Sequence, residues 1–158
     1  MRRGQYDLPS TEDEVKRISD MLDPGQSIIV IGDVATEALV HRLDLIPYEV
    51  ISFATHALLS QEATDLTDGA ITEPALLLHP GDGEDGFLTA SEAATLRLDA
   101  DWVLLSACNT AAGDAEDAEG LSGLARAFFF AGAKALMVSH WPVEDTWTMS
   151  LITETMKR

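Results

Sequence analysis

The chain is poor in several residue types that mark particular classes of protein. Its 158 residues include one cysteine, Cys108, which excludes an internal disulfide and a multi-cysteine metal site. The longest apolar runs, such as residues 125–133, are interrupted by Arg126 and are too short to cross a bilayer. No apolar signal segment follows the Met-Arg-Arg start, which predicts a cytoplasmic protein. We expect no metal and no cofactor.

Basic residues are also scarce. Ten lysines and arginines stand against 27 aspartates and glutamates, so the formal net charge is −17. Such a surface repels phosphate backbones and anionic membranes, and we therefore expect neither nucleic acid nor a membrane as partner. Long-range attraction would favour a basic protein or peptide. The simpler alternative is that the acidic surface only keeps the protein soluble.

Short apolar segments alternate with helical patterns along the chain. The predicted strands are residues 27–31, 49–54, 102–106 and 135–139, and the predicted helices are residues 10–22, 33–43, 89–96, 121–131 and 143–156. Gly132 is expected to end the fourth of these helices. Two polar stretches, residues 61–72 and 114–119, are predicted as exposed loops. This alternation is typical of an α/β domain with a mainly parallel sheet.

Reactive side chains follow two of the predicted strands. One strand runs into Thr55-His56 and the other into Ala107-Cys108. If the strands are neighbours, their carboxyl ends meet at one edge and the two side chains allow a Cys–His dyad for acyl transfer. The backbone N–H groups of Ala57 and Cys108 are then candidate donors to an oxyanion. A lone cysteine can equally be a small buried hydrophobic residue, so position alone leaves both interpretations open.

Several motifs together resemble the CHAT domain family, caspase-like cysteine peptidases of clan CD that often occur next to tetratricopeptide repeats. Phe-Ala-Thr-His at residues 53–56 is similar to the histidine motif of that family, and Leu-Leu-Ser-Ala-Cys-Asn-Thr-Ala-Ala-Gly at residues 104–113 is similar to its cysteine motif. Residues 85–92, 120–133 and 139–143 also match, in the right order. The 52 positions from residue 56 to residue 108 agree with the caspase spacing of about fifty.

The resemblance implies a three-layer caspase-like sandwich and endopeptidase activity on a protein or peptide substrate. In that interpretation Cys108 is the nucleophile and His56 the general acid and base. Asn109, His140 and Trp141 become candidates for the substrate groove. Trp141 can instead be an aromatic packed beside the following proline, and His140 a hydrogen-bonded histidine at a strand end.

The chain departs from the family pattern at two important places. Ala57 stands where the family usually has glycine directly after the histidine. The family also has a strand, in the middle of the sheet, before the segment that corresponds to Leu8. We therefore expect an incomplete domain at residues 8–158 that lacks its first strand and its C-terminal end, with a flexible segment at residues 1–7. Open sheet edges would favour pairing with another chain or with a flanking repeat domain.

Other functions stay open at this point. A catalytically silent CHAT-like module that only binds a partner would fit the same fold. A thiolase-like acyltransferase would need two similar halves, and the chain has no internal repeat. A receiver-like domain would need clustered aspartates at strand ends, whereas Asp33 is isolated. The acidic stretch at residues 114–119 could select basic substrates or be a solvated loop.

Overall fold

A computed structural model describes residues 11–22, 25–106 and 115–139. Five α-helices lie in these ranges, besides a 3₁₀ turn at Gly32–Val34: α1 (Thr11–Leu22), α2 (Glu37–Arg42), α3 (Ser60–Leu66), α4 (Ala90–Ala93) and α5 (Ala115–Ala131). The six strands there are β1 (Val50–Ala54), β2 (Ala57–Leu58), β3 (Ala75–Leu77), β4 (Phe87–Thr89), β5 (Trp102–Ser106) and β6 (Ala135–Ser139). Helices and strands alternate along most of the chain, as the α/β prediction requires.

The larger sheet is parallel and has the order β1-β5-β6 in the described part of the chain. The register pairs Val50 with Trp102 and Ala54 with Ser106, so β1 and β5 begin and end together. On the other side of β5, Ser106 pairs with Ser139 at the end of β6. All three strands therefore end at the same edge, and the predicted mainly parallel sheet is confirmed.

Helices cover both faces of this sheet. On one face Ile18 of α1 packs with Leu104, together with partly buried side chains of Val50, Trp102 and Met137. The opposite face carries Val103 and Leu105, which belong to the main core. In α5 the buried positions of that core fall at i, i+3, i+4 and i+7, namely Leu124, Ala127, Phe128 and Ala131. The result is three layers, in agreement with a caspase-like domain.

A second, smaller sheet is antiparallel, with the order β2-β3-β4. It starts directly after the end of β1, since only Thr55 and His56 separate β1 from β2. Leu58 and Phe87 of this sheet form a separate buried cluster with Ala63 of α3. Thr89 ends β4 and caps α4, where its hydroxyl accepts from the Glu92 N–H, as the sequence predicted. This sheet therefore fixes the chain on both sides of the candidate histidine.

Three secondary-structure predictions were wrong. Residues 27–31 form no strand; Ile28 is 57% exposed, and no neighbouring segment in the described ranges pairs with it. Residues 60–66 form α3, although residues 61–72 were predicted as a loop. The predicted loop at residues 114–119 is helical from Ala115 onward, because it continues into α5. The predicted helix at residues 143–156 lies outside the described residues.

Candidate active site

The candidate site lies at the edge where the three parallel strands end. β5 occupies the middle position, with β1 on one side and β6 on the other. Ala54 and Ser106 are paired at the end of their strands, and His56 follows the first by the same two residues by which Cys108 follows the second. β1 and β5 are therefore neighbours, as a Cys–His dyad requires. Four predicted site residues lie outside the described residues: Cys108, Asn109, His140 and Trp141.

The backbone around His56 is held by β3. The His56 carbonyl accepts a hydrogen bond of 2.8 Å from the Leu77 N–H. The Thr55 hydroxyl donates to the carbonyl of the same leucine. The imidazole itself is half-buried, with its Nε2 atom shielded from solvent. Two consecutive residues of the turn after β1 are thus bonded to one residue of the second sheet, which fixes where the histidine side chain starts.

Ala57 is the first residue of β2 and pairs with Leu76. The neighbouring pair in this ladder, His56 and Leu77, is joined by a hydrogen bond from the Leu77 N–H to the His56 carbonyl. Hydrogen-bonded and non-hydrogen-bonded pairs alternate along an antiparallel ladder, so Ala57 and Leu76 form a non-hydrogen-bonded pair. The Ala57 amide therefore points away from β3. The residue is 3% exposed and packs in the main core. Alanine is compatible with this position, since a strand does not require the conformational freedom of glycine.

Sequence reasoning did not find one buried charged residue near this segment. Glu37, the first residue of α2, is 1% exposed, and its Oε2 atom accepts a hydrogen bond of 2.9 Å from the Gly86 N–H. Its Oε1 atom lies 3.7 Å from Nε2 of His41, one turn later in the helix. The signal in the sequence was weak: a glutamate after the helix cap Thr36, with a histidine four positions on.

Burial raises the pKa of the Glu37 carboxyl above its ordinary value. The hydrogen bond from Gly86 acts in the opposite direction, and the nearby carboxylates of Glu92, Asp85 and Glu84 raise the pKa further. Glu92 belongs to α4, whereas the other two carboxylates precede β4. Ionisation of the Glu37 carboxyl therefore costs more free energy in the folded protein than in the unfolded chain.

This raised pKa predicts how stability depends on pH. Well below pH 4.5, Glu37 is protonated in both states, and Glu37→Gln should change stability little beyond the substitution itself. As the pH rises through the folded pKa, the wild type should lose stability relative to the variant, by about 1.4 kcal/mol for each unit of upward shift. Urea unfolding from pH 4 to pH 8 measures the difference. The exposed Glu49→Gln is the control; equal pH profiles for wild type and Glu37→Gln would contradict the prediction.

Searches for other kinds of site were negative over the part of the chain that the structure describes. None of its helices is both long and apolar enough to cross a membrane. No cluster of three or more histidine, cysteine, aspartate or glutamate side chains in these ranges is arranged to hold a metal ion.

Fold and strand-end motifs define a caspase-like α/β domain. The chain matches the CHAT domain over residues 3–158, and it belongs to this family, which is part of the caspase-like clan CD. It is 31% identical over 162 residues to tetratricopeptide repeat protein 28 from Mus musculus and 30% identical to the protein of that name from Homo sapiens. Each match covers 86% of this chain and 6% of the relative, so the chain spans a small part of those proteins.

Proposed function

We propose that this domain is a cysteine endopeptidase of the CHAT type that cleaves a protein substrate with His56 and Cys108. The observation that carries the proposal is the in-register pairing of β1 with β5, whose ends run into the histidine and the cysteine motif. Neighbouring parallel strands lie about 4.8 Å apart. We therefore expect two side chains that each follow such paired ends by the same number of residues to start close enough for proton transfer within a dyad.

The proposed reaction uses these groups in two steps. The Cys108 thiolate attacks the peptide carbonyl carbon, and the oxyanion accepts hydrogen bonds from the N–H groups of Ala57 and Cys108. Its collapse breaks the C–N bond while the His56 imidazolium donates a proton to the leaving amine. Water then attacks the acyl-enzyme with His56 as base, which releases the acid and restores the dyad. The Ala57 amide points away from β3 and so is not used in that ladder, which supports its part in this scheme.

Substrate and partners belong to the same proposal. The net charge of −17 favours basic protein or peptide substrates, whose association should weaken as salt screens the attraction.

The name of the two relatives refers to tetratricopeptide repeats, which supports a flanking repeat domain or another chain as a further partner. Native mass spectrometry of the intact source protein tests the second chain, and a complex should be detected. The proposal also includes the cytoplasmic location, which cell fractionation tests.

The test of the peptidase proposal is cleavage of a peptide library by the full-length source protein, with the products identified by mass spectrometry. Cys108→Ala should abolish cleavage, because no other thiol is present in this chain to form the acyl-enzyme. Ser52→Ala, a similarly small change within β1, should leave it intact. Unchanged cleavage in Cys108→Ala would contradict the proposal.

A catalytically silent binding module is the second candidate. The departure from glycine at residue 57 favours it, because the family usually has glycine there. A wild-type protein that cleaves no library peptide, yet binds a basic protein equally well with and without Cys108, would support this alternative.

A further inference from the structure

Three consecutive backbone N–H groups at the end of β3 donate to three different segments of the chain. They belong to Leu77, Leu78 and His79, and the bonds are 2.8, 2.7 and 3.0 Å long. The acceptors, in the same order, are the carbonyls of His56, Gly86 and Ala35. Residues 77–79 therefore connect the turn that carries the candidate catalytic histidine to the segment before β4 and to the start of α2. Each bond fixes the strand end from a different side.

At Gly86 the backbone of the segment before β4 closely approaches the backbone of residues 78–80. Its φ is +89°, and a Cβ atom added there would lie 2.8 Å from both the Leu78 carbonyl oxygen and the Pro80 nitrogen. Only glycine fits such a close approach of two backbone segments. The Gly86 carbonyl accepts from Leu78, and its N–H donates to the carboxylate of Glu37. Both backbone groups of Gly86 are thus bonded, and on the N–H side the acceptor is a side chain inside the protein.

The Glu37 carboxylate is well placed to act as that acceptor. It is buried at the first position of α2, and the helix start is itself capped by the Thr36 side chain, which accepts from the Leu39 N–H at 3.1 Å. A bridge between Thr36 and His79 joins the same helix start to the end of β3. A buried N–H group without an acceptor is costly, so removal of the carboxylate should loosen Gly86 and the residues bonded to it.

We propose that Glu37 is a positioning residue for His56, which acts through Gly86 and residues 77–78. The inference rests on the proposed peptidase function and adds a residue outside the strand-end motifs. In this role Glu37 takes no part in the chemistry. It supplies a hydrogen-bond acceptor that fixes Gly86, and through Leu78 and Leu77 it fixes the carbonyl of the catalytic histidine. The role depends on the acceptor oxygen, so glutamine can replace it and alanine cannot.

Amide hydrogen exchange, followed by NMR on wild type, Glu37→Ala and Glu37→Gln, tests the link without any need for peptidase activity. We expect the amides of Gly86 and Leu77 to exchange about tenfold faster in Glu37→Ala and within about twofold of wild type in Glu37→Gln. Ile18→Ala is the control for general loss of stability, since Ile18 packs on the opposite face of the sheet. Glu84→Ala is the control for loss of an exposed carboxylate before β4.

Two results would overturn the proposal. One is faster exchange at Gly86 with an unchanged Leu77 amide, which would confine the effect of Glu37 to its immediate neighbour. The other is a Leu77 amide that exchanges no faster in Glu37→Ala than in Ile18→Ala. Should Glu37→Ala fail to fold, Glu37→Asp replaces it, because the shorter side chain retracts the carboxylate from Gly86 and keeps its charge. Its Leu77 amide is then judged by the same two criteria.

Kinetics of the full-length protein form the second arm. Glu37→Ala should lower kcat about tenfold with little change in KM, and Glu37→Gln should restore it, because a misplaced imidazole affects proton transfer more than binding. A parallel loss in both variants would contradict the role as acceptor. If wild type cleaves no peptide, the peptidase proposal fails, while the exchange experiment still decides whether Glu37 fixes the segment that carries His56.

Discussion

Replacement of His56 by alanine is expected to lower kcat/KM for peptide cleavage by about 10³-fold, because general acid–base catalysis typically contributes 10²–10⁴. The loss should fall on kcat, since the imidazole donates a proton to the leaving amine and does not bind the substrate backbone. β1 delivers this side chain to the same sheet edge as the cysteine strand, and the His56 backbone is bonded to β3 whatever the side chain is. The fold should therefore survive the substitution.

The matched control is His79→Ala. This histidine is exposed at the end of β3, where its ring contacts the Pro80 carbonyl at 3.0 Å, and its bonds to the rest of the fold come from the backbone. Both variants remove one imidazole from the same small region, so that only the His56 change should lower kcat/KM by about 10³-fold. Thermal unfolding of the two variants checks that each is folded. Equal activities in wild type and His56→Ala would exclude the dyad.

The parallel sheet could be predicted from the sequence because each of its strands is a short apolar run, and the middle strand, β5, has consecutive buried residues at Val103, Leu104 and Leu105. Residues 27–31 have the same composition, yet they form no strand. An apolar run becomes a strand only where a neighbouring strand continues the hydrogen-bond ladder, and composition does not reveal where that happens. In the opposite direction, α3 has one buried residue, Ala63, so its apolar periodicity was too weak to indicate a helix.

The acidic stretch before residue 120 shows how composition misled the loop prediction. Alanine and glutamate are good helix formers, and acidic residues near a helix N-terminus interact favourably with its dipole. The charge pattern that indicated a solvated loop therefore also fits the first turns of α5. The segment is both acidic and helical, and it continues into the apolar half of α5.

The candidate histidine could be found from the sequence because a strand end and a family motif coincide there. The residues that hold it could not. Thr55 and His56 bond to Leu77 only because β3 pairs with β2 directly after them, and the hydroxyl of Thr55 and its partner are 22 positions apart. Glu37 is still further away in sequence, since 49 positions separate it from Gly86.

Replacement of Gly132 by alanine is expected to cause the largest loss of stability of any single change considered. Gly132 follows the last residue of α5 with φ +117°, and a Cβ atom there would lie 2.2 Å from the carbonyl oxygen of Leu98. Its N–H donates to the Phe129 carbonyl and the next N–H, of Ala133, to the Phe128 carbonyl, which together form a Schellman helix end. The Leu98 N–H in turn donates to the Ala131 carbonyl at 2.9 Å, so the clashing backbone cannot move away without breaking that bond.

Backbone strain alone accounts for about 1–3 kcal/mol at such a position, and the clash with Leu98 adds to it. We therefore expect Gly132→Ala to lower the free energy of unfolding by more than about 3 kcal/mol, measured by urea denaturation. Gly69→Ala is the matched control: its φ of +83° is comparably unfavourable, but no atom lies within 4 Å of the added Cβ. The control should lose only about 1 kcal/mol, the lower end of that range. Equal losses in the two variants would mean that φ alone, and not the close approach of Leu98 to the end of α5, requires glycine at position 132.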